Sequence, residues 1–543
     1  MKHRRFTGEG AFELPESAVT WSLQDDWTLL DNGDTVSGNT RSCVSHRKRH
    51  RAKGRKPIIE FFAVKFCPYQ PLNADPVFAA VSKKHVVVCK LSSASQRGDI
   101  FKTIRLIRDD DVGLTSLSRP MKGLSISHLF THQPNATNCC CTWTRASETG
   151  VPYLCVGGVD GIVKIYDLVN GTLAGGINDL TTCPSDPSII ASSSDDTTVR
   201  IWSLDPAHEE QPCLCILAGE GHIAEILSAS FHDNGRYVVS GGHDHRINLT
   251  DLNQWTLPDF PKGHIDSPFQ VHYPHFSTSA VHGGIVDCVA FYGDQILSKA
   301  NRDNVIILWQ ILGFSSDDPP PPHDIAPLPH IPQPNDYGAS QFTRSAFVPT
   351  VSPQCPLQYD RRLQFHTPKC DEYFFLRFEL HFQPNQHPIL TFCNRTGEIL
   401  FWDLERVKAY DDLMGTLRDP DRDRSKPVRL PNWLGRLRPG VNGKSRVTSV
   451  SRGSQGSRTP EVEDRRDVYD IADLNPKDVA EWDSKYKARD RDHALEPHHK
   501  IEVRSKGRIP FLGRQVAWSP GGEWCAVAGS GNVVHMLRRW GEA

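Results

Sequence analysis

Cys139, Cys140 and Cys141 are consecutive thiols, and they are the first residues that suggest metal chemistry. Adjacent residues on a strand point to opposite faces, so three in a row cannot converge on one ion. His243 and His245 flank Asp244, but no third ligand stands near them. Asp160, Asp196, Asp244 and Asp303 occupy matching places in a recurring segment. A carboxylate that returns with every repeat closes turns by hydrogen bonding, whereas one active site needs it once. The chain contains no GxxxxGK[ST], HExxH or GxSxG. It is therefore expected to have no catalytic residues, no metal and no cofactor.

One segment carries charge chemistry instead. RSCVSHRKRHRAKGRKP holds Lys or Arg at 41, 47, 48, 49, 51, 53, 55 and 56 and no acid. It reads as a nuclear-localisation or nucleic-acid patch. The 543 residues as a whole balance 62 Lys+Arg against 64 Asp+Glu, so the chain is not a polycation that coats nucleic acid. Any nucleic-acid contact through 41–56 is expected to be weak.

Apolar residues make up 38% of the chain, enough for a sizeable core but lean enough that part of it should be solvated loop. Gly 40 and Pro 39 are more punctuation than long helices tolerate. No run of 18 apolar residues exists, so no membrane contact is expected. MKHRRFTGEGAFELPES has no apolar centre, so no secretory signal is expected. The 15 cysteines include no CxxC pair and lie within apolar runs. They read as reduced core thiols of an intracellular protein.

The elements that must carry any site recur. VGGVDGIVKIYDL (156–168), SSSDDTTVRIWSL (192–204), SGGHDHRINLTDL (240–252), SKANRDNVIILWQI (298–311) and FCNRTGEILFWDL (392–404) share one pattern. Small polar residues meet an Asp, Asn or Gly turn, and an alternating apolar strand follows. AVSKKHVVVCKL (80–91) and AGSGNVVHMLRR (528–539) are looser copies. Another apolar strand precedes each copy, among them FFAVKF, AEILSASF and GRQVAW. The apolar period is two, which excludes helical solenoids. Short strands in seven units predict an all-β, seven-bladed propeller whose closure hides the terminal faces.

The blades are expected near 58–92, 137–172, 177–205, 221–255, 283–313, 370–407 and 509–541. Residues 1–57 are expected to be a disordered basic tail. Inserts are expected at 93–136, 314–369 and 408–508, the last mostly disordered and dispensable for the ring. One helix is expected there, in NPKDVAEWDSKYKARDRDHAL, with Asn475 as N-cap and Pro476 at its first position.

HFSTSAVHGGIVDCVAFYGDQILSKANRDNVIILWQ resembles the Polycomb WD-repeat family of EED, also called extra sex combs. So do FFAVKFCPYQPLNADPVFAAV, CDEYFFLRFELHFQPNQHPILTFCNRTGEILFWDLE and FLGRQVAWSPGGEWCAV. The likeness spans all seven blades, and the long inserts suggest a divergent, fungal-type member. It implies a non-catalytic scaffold of a nuclear histone H3 lysine methyltransferase complex, Polycomb repressive complex 2. Such a protein holds a helix of the catalytic subunit in a propeller groove and contacts other Polycomb subunits. It also reads trimethyl-lysine on the histone H3 tail through an aromatic cage, which stimulates methylation and silencing.

Carried over residue by residue, the resemblance places cage walls at Phe62, Phe374 and Phe375. The family's tyrosine wall falls on Cys139, four residues before Trp143. Cys139 has no aromatic face, so that side is expected to be weak or open. Asn178, Asp287, Arg377 and Arg514 match polar positions around the family's peptide channel. A second departure is GTLAGGINDL, where only residues 169–176 remain between Leu168 and Ile177 for an outer strand and its return. The family's Gly-His element also lacks its His there, so either an outer strand is truncated or the gene sequence skips an exon boundary. The competing reading is a WD-repeat adaptor that binds proteins without recognising methyl-lysine. The two differ in whether Phe62, Phe374 and Phe375 meet at one concave mouth.

Overall fold

The computed structural model describes residues 18–22, 60–72, 74–91, 101–108, 138–159, 163–167, 178–252, 265–319, 321, 342–348, 358–370, 372–435, 437, 467–488, 493–503, 510–531 and 533–539. The basic patch 41–56, the junction 169–176 and Asp160 lie outside them. So do 109–136, 322–341 and 438–466.

Among the described residues, seven sheets of three to five strands form the blades of a propeller, with one further two-stranded ribbon. The inner strands are Phe61–Phe66, Asn138–Arg145, Asp179–Thr182, Ile226–Phe231, Val286–Tyr292, Glu379–His381 and Gly513–Trp518. Stacking explains why so many strands read as unbroken apolar runs. In His85–Leu91, Val86 and Val88 pack with Trp143 and Leu154 of blade two. Val87, Cys89 and Leu91 pack with Trp524 and Met536 of blade seven. Both faces of the strand are therefore buried, as alternation demands.

Of the recurring aspartates, Asp196 and Asp244 close turns by accepting from backbone N–H groups. Asp196 accepts from the backbone and hydroxyl of Thr198. In blade five His282 bridges Asp303 (2.6 Å) and Ser298 (2.7 Å), and the Trp309 indole N–H donates to Ser298 (2.9 Å). Blade four keeps His222, Ser240 and Asp244 in the same linkage. It has Thr250 two residues beyond the partner of its serine, where blade five has its tryptophan.

The ring closes in two ways. Phe61, Val64 and Phe66 share one apolar cluster with Ala517, Trp524 and Ala526. Ala18–Ser22 also pairs antiparallel with Val533–Arg538 as the outermost strand of blade seven. This corrects the expectation of disorder throughout 1–57. Without that pairing Val533–Arg538 would present a bare edge of N–H and C=O groups. A five-residue strand is too short to stand out in the sequence.

The insert boundaries are corrected for the same reason. Phe101–Arg108 is the outer strand of blade one, paired with His85–Leu91. Thr343–Ser345 extends blade four, and Tyr359–His366 is an outer strand of blade five. His499–Glu502 completes blade six against Glu398–Asp403.

Between the strands of blade six, 404–435 and 467–488 pack rather than hang free. Helices Leu404–Arg418 and Pro476–Tyr486 enclose Tyr410, Met414, Leu417, Leu434, Trp482 and Tyr486. Asn475 caps the second helix by accepting from the Lys477 N–H. The Tyr410 hydroxyl donates to Asp483 (2.7 Å), and the Trp482 indole donates to the Leu434 carbonyl (3.0 Å). Apolar residues are few here, but they fall at i, i+4, i+7 and so form one stripe.

Burial also sets a pH response. His381 and His535 are buried in blades six and seven, and desolvation lowers each to about pKa 4. Unfolded histidines protonate near pH 6.5. Both groups are therefore neutral when folded and charged when unfolded between those values. Their contribution is whole above about pH 6.5 and declines toward about pH 4, by up to about 1.4 kcal/mol per unit for each. Melting temperature should fall steadily from about pH 7 to about pH 4.5. A flat profile would show that these rings protonate without unfolding.

Candidate functional site

Five inner strands carry one residue more than their partners, each near its start. The strand of blade one pairs Phe61 with Ser82 and then Ala63 with Val81, which leaves Phe62 extra. The same slip leaves Cys139, Leu227, Asp287 and Arg514 extra in blades two, four, five and seven. A bulged residue escapes the strict alternation of the strand and can be re-aimed. Four of the eight candidate residues are bulged in this way.

Phe374 and Phe375 lie on the segment leading into blade six, with ring centroids 5.2 Å apart. Phe374 meets the His243 ring of blade four edge to face at 5.7 Å. Phe375 adopts φ +57, a region that bulky side chains rarely enter. Neighbouring hydrogen bonds hold it there. The Leu376 N–H donates to Asp287 (3.2 Å), the Arg377 N–H to the Arg514 carbonyl (2.8 Å), and the Arg514 guanidinium to the Phe374 carbonyl (2.9 Å). Arg514 also pairs with Glu60 at 2.7 Å and lies 5.5 Å from the centroid of the Phe62 ring. Phe62, Phe374 and Phe375 are thus joined through one arginine of blade seven.

Arg377 crosses the channel. Its guanidinium reaches Asp179 of blade three (2.6 Å) and the Leu227 carbonyl of blade four (3.0 Å), and it lies 5.5 Å from the Phe375 centroid. Burial is the largest influence and lowers its pKa, but the Asp179 carboxylate and the neighbouring Cys288, Cys140 and Cys139 together raise it. Cys139 is half-buried, and its thiol donates to the Asn178 carbonyl (3.4 Å). The Asn178 amide donates to Asp195. Burial pushes the neighbouring Cys141 thiol up to about 12, which keeps it protonated.

Two of the polar positions expected around the channel are buried and ion-paired. Asp287 is wholly buried and bound to Lys299 at 3.0 and 3.1 Å. Arg377 is a buried strut. Asp287 holds the aromatic segment through the Leu376 N–H, Arg377 lies against the Phe375 ring, and each has a buried counter-charge. Asn178 is also buried, and Arg514 is engaged with Glu60. Sequence reasoning set His243 aside and did not single out Asp179 or Lys299. Asp179 directly follows Asn178, and Lys299 sits in the ILSK segment that carried the resemblance.

The arrangement can hold a large, weakly hydrated cation. A half-buried and a partly exposed phenyl ring lie side by side, and a third is tied to them. The site has no nucleophile–base pair, and among the described residues no group of three His, Cys, Asp or Glu could hold a metal ion.

Residues 169–203 and 212–251 match the model of the WD domain, G-beta repeat. The chain is 38% identical to the Polycomb protein EED of Chaetomium thermophilum, over 98% of this chain and 97% of that protein. It is 30% identical to the Polycomb protein esc of Drosophila melanogaster over 35% of this chain and 48% of that one. Its fold is similar to a chain in the structure of ctPRC2 in complex with H3K27me3 and H3K27M, with TM-score 0.75, 38% identity and coverage of 98% and 99%. A chain in an active polycomb repressive complex 2 in the basal state gives TM-score 0.74 at 37% identity, again over 98% and 99%.

Proposed function

The chain belongs to the Polycomb EED family, and on that premise we propose that it is the non-catalytic scaffold and mark reader of a histone H3 lysine methyltransferase complex. Its partners in this reading are the catalytic subunit, other Polycomb subunits and the trimethylated histone H3 tail, and its place is the nucleus. The observation that carries the reading is the linkage of Phe62, Phe374 and Phe375 at one end of the channel.

The physics suits that ligand. A trimethylammonium keeps its charge but has lost its N–H donors, so it is less costly to desolvate than lysine. An aromatic face attracts it by about 0.5–2 kcal/mol, more as water is excluded. Residues far apart in sequence supply the faces because every blade brings an inner-strand start to the same mouth.

A methyltransferase complex reconstituted with this chain should be stimulated by a trimethylated histone H3 peptide. The same complex carrying Phe375→Ala should assemble but respond to the peptide no more than to its unmethylated form. Equal stimulation of both complexes would leave a protein-binding adaptor without mark recognition.

A further inference from the structure

Lys83 opens the turn between the second and third strands of blade one, and it is exposed. Its ammonium lies 5.9 Å from the centroid of the Phe62 ring. It forms no ion pair among the described residues, so the aromatic ring is its one recorded side-chain partner there. The other cation on that ring, Arg514, is fixed by Glu60 and by the Phe374 carbonyl. One cation on Phe62 is therefore built in and the other is free to move.

The position of Lys83 matters more than its distance. Its backbone carbonyl accepts from the Asn138 N–H at 2.9 Å, which places it beside the residue that precedes Cys139. Cys139 is the side of the site without an aromatic wall. The Lys83 backbone is thus beside the start of the strand that carries Cys139, and its side chain reaches to the Phe62 ring.

We propose that Lys83 is an internal competitor for the methyl-lysine site: its ammonium occupies the Phe62 ring when no peptide is bound. This rests on the reader function proposed above and adds a determinant of its affinity. Arg514 stays at that ring throughout, fixed by Glu60, so an arriving trimethyl-lysine competes with Lys83, the cation without an ion-pair partner among the described residues, for the attraction that remains. A tethered cation competes at high effective concentration. The apparent affinity is therefore the intrinsic one multiplied by the fraction of molecules whose ring is free of Lys83. Plain lysine is scaled down by the same factor from a weaker start, which takes its binding out of useful range.

Lys83→Met removes the charge, keeps the length and lies on an exposed turn. Titration of a trimethylated histone H3 tail peptide should show about two- to fivefold tighter binding to Lys83→Met than to wild type at low salt. The gap should narrow at high salt, because exposed charges are screened. Lys83→Glu should tighten binding further, since a carboxylate beside the Phe62 ring attracts the cation. Phe375→Ala is measured alongside. Unchanged or weaker binding by Lys83→Met at low salt, with Phe375→Ala still defective, overturns the competitor and leaves the reader intact. Wild-type binding no tighter than that of Phe375→Ala overturns both.

Discussion

Phe375→Ala should bind a trimethylated histone H3 peptide about 30-fold more weakly than wild type or worse, with the ring still folded. The loss exceeds one cation–aromatic contact because Phe375 also positions its neighbours. Its ring supports Phe374 at 5.2 Å and lies within 5.5 Å of Arg377. Truncation therefore removes one wall and loosens another. The ring should persist because Arg377 keeps Asp179 and the Leu227 carbonyl, and Leu376 keeps Asp287. The converse change is Cys139→Tyr. A phenol on the open side should tighten binding by about two- to thirtyfold, the range of one aromatic wall. Calorimetric titration of the three proteins with one peptide reads both effects, and melting curves check the fold. Equal affinities would mean that the aromatic mouth does not bind the peptide.

Lys299→Met should destabilise the propeller by about 3–5 kcal/mol, the largest single stability loss expected here. Lys299 and Asp287 are both fully buried and paired at 3.0 Å. Removing the lysine strands a carboxylate that water cannot reach. Replacing both, as Asp287→Leu with Lys299→Met, should recover much of that loss, because a buried pair gains little over apolar side chains. The double variant should nevertheless bind peptide poorly. Asp287 also accepts from Leu376, so its removal releases the backbone beside Phe375. Denaturant midpoints and peptide titrations separate the two roles. A double variant with wild-type affinity would show that this backbone holds its place without the carboxylate.

The repeats were legible because their physics is local. A turn aspartate and an alternating strand recur within a dozen residues, so blade cores such as 192–204 and 298–311 can be found by eye. Outer strands were not legible. Tyr359–His366 and His499–Glu502 carry mostly polar residues on their open side, and turns or whole segments separate these strands and Phe101–Arg108 from their partners. Ala18–Ser22 is the extreme case, since its partner strand lies at 533–538. The helical unit on blade six was hidden by composition: a few well-spaced apolar side chains build a core that a low average conceals.

For the site, residue identity came from the sequence and residue role from the fold. The linear order was enough to propose Phe62, Phe374, Phe375 and the gap at Cys139, through the motifs around them. It could not show that Asp287 and Arg377 turn inward as struts, because their counter-charges, Lys299 and Asp179, lie 12 and 198 residues away. Nor could it place Lys83 over Phe62. A single bulged residue decides which way an inner-strand start points, and a bulge is a mismatch between two strands. Pattern within one strand therefore determined the blades, while pairing between strands and across the ring decided what meets at the mouth.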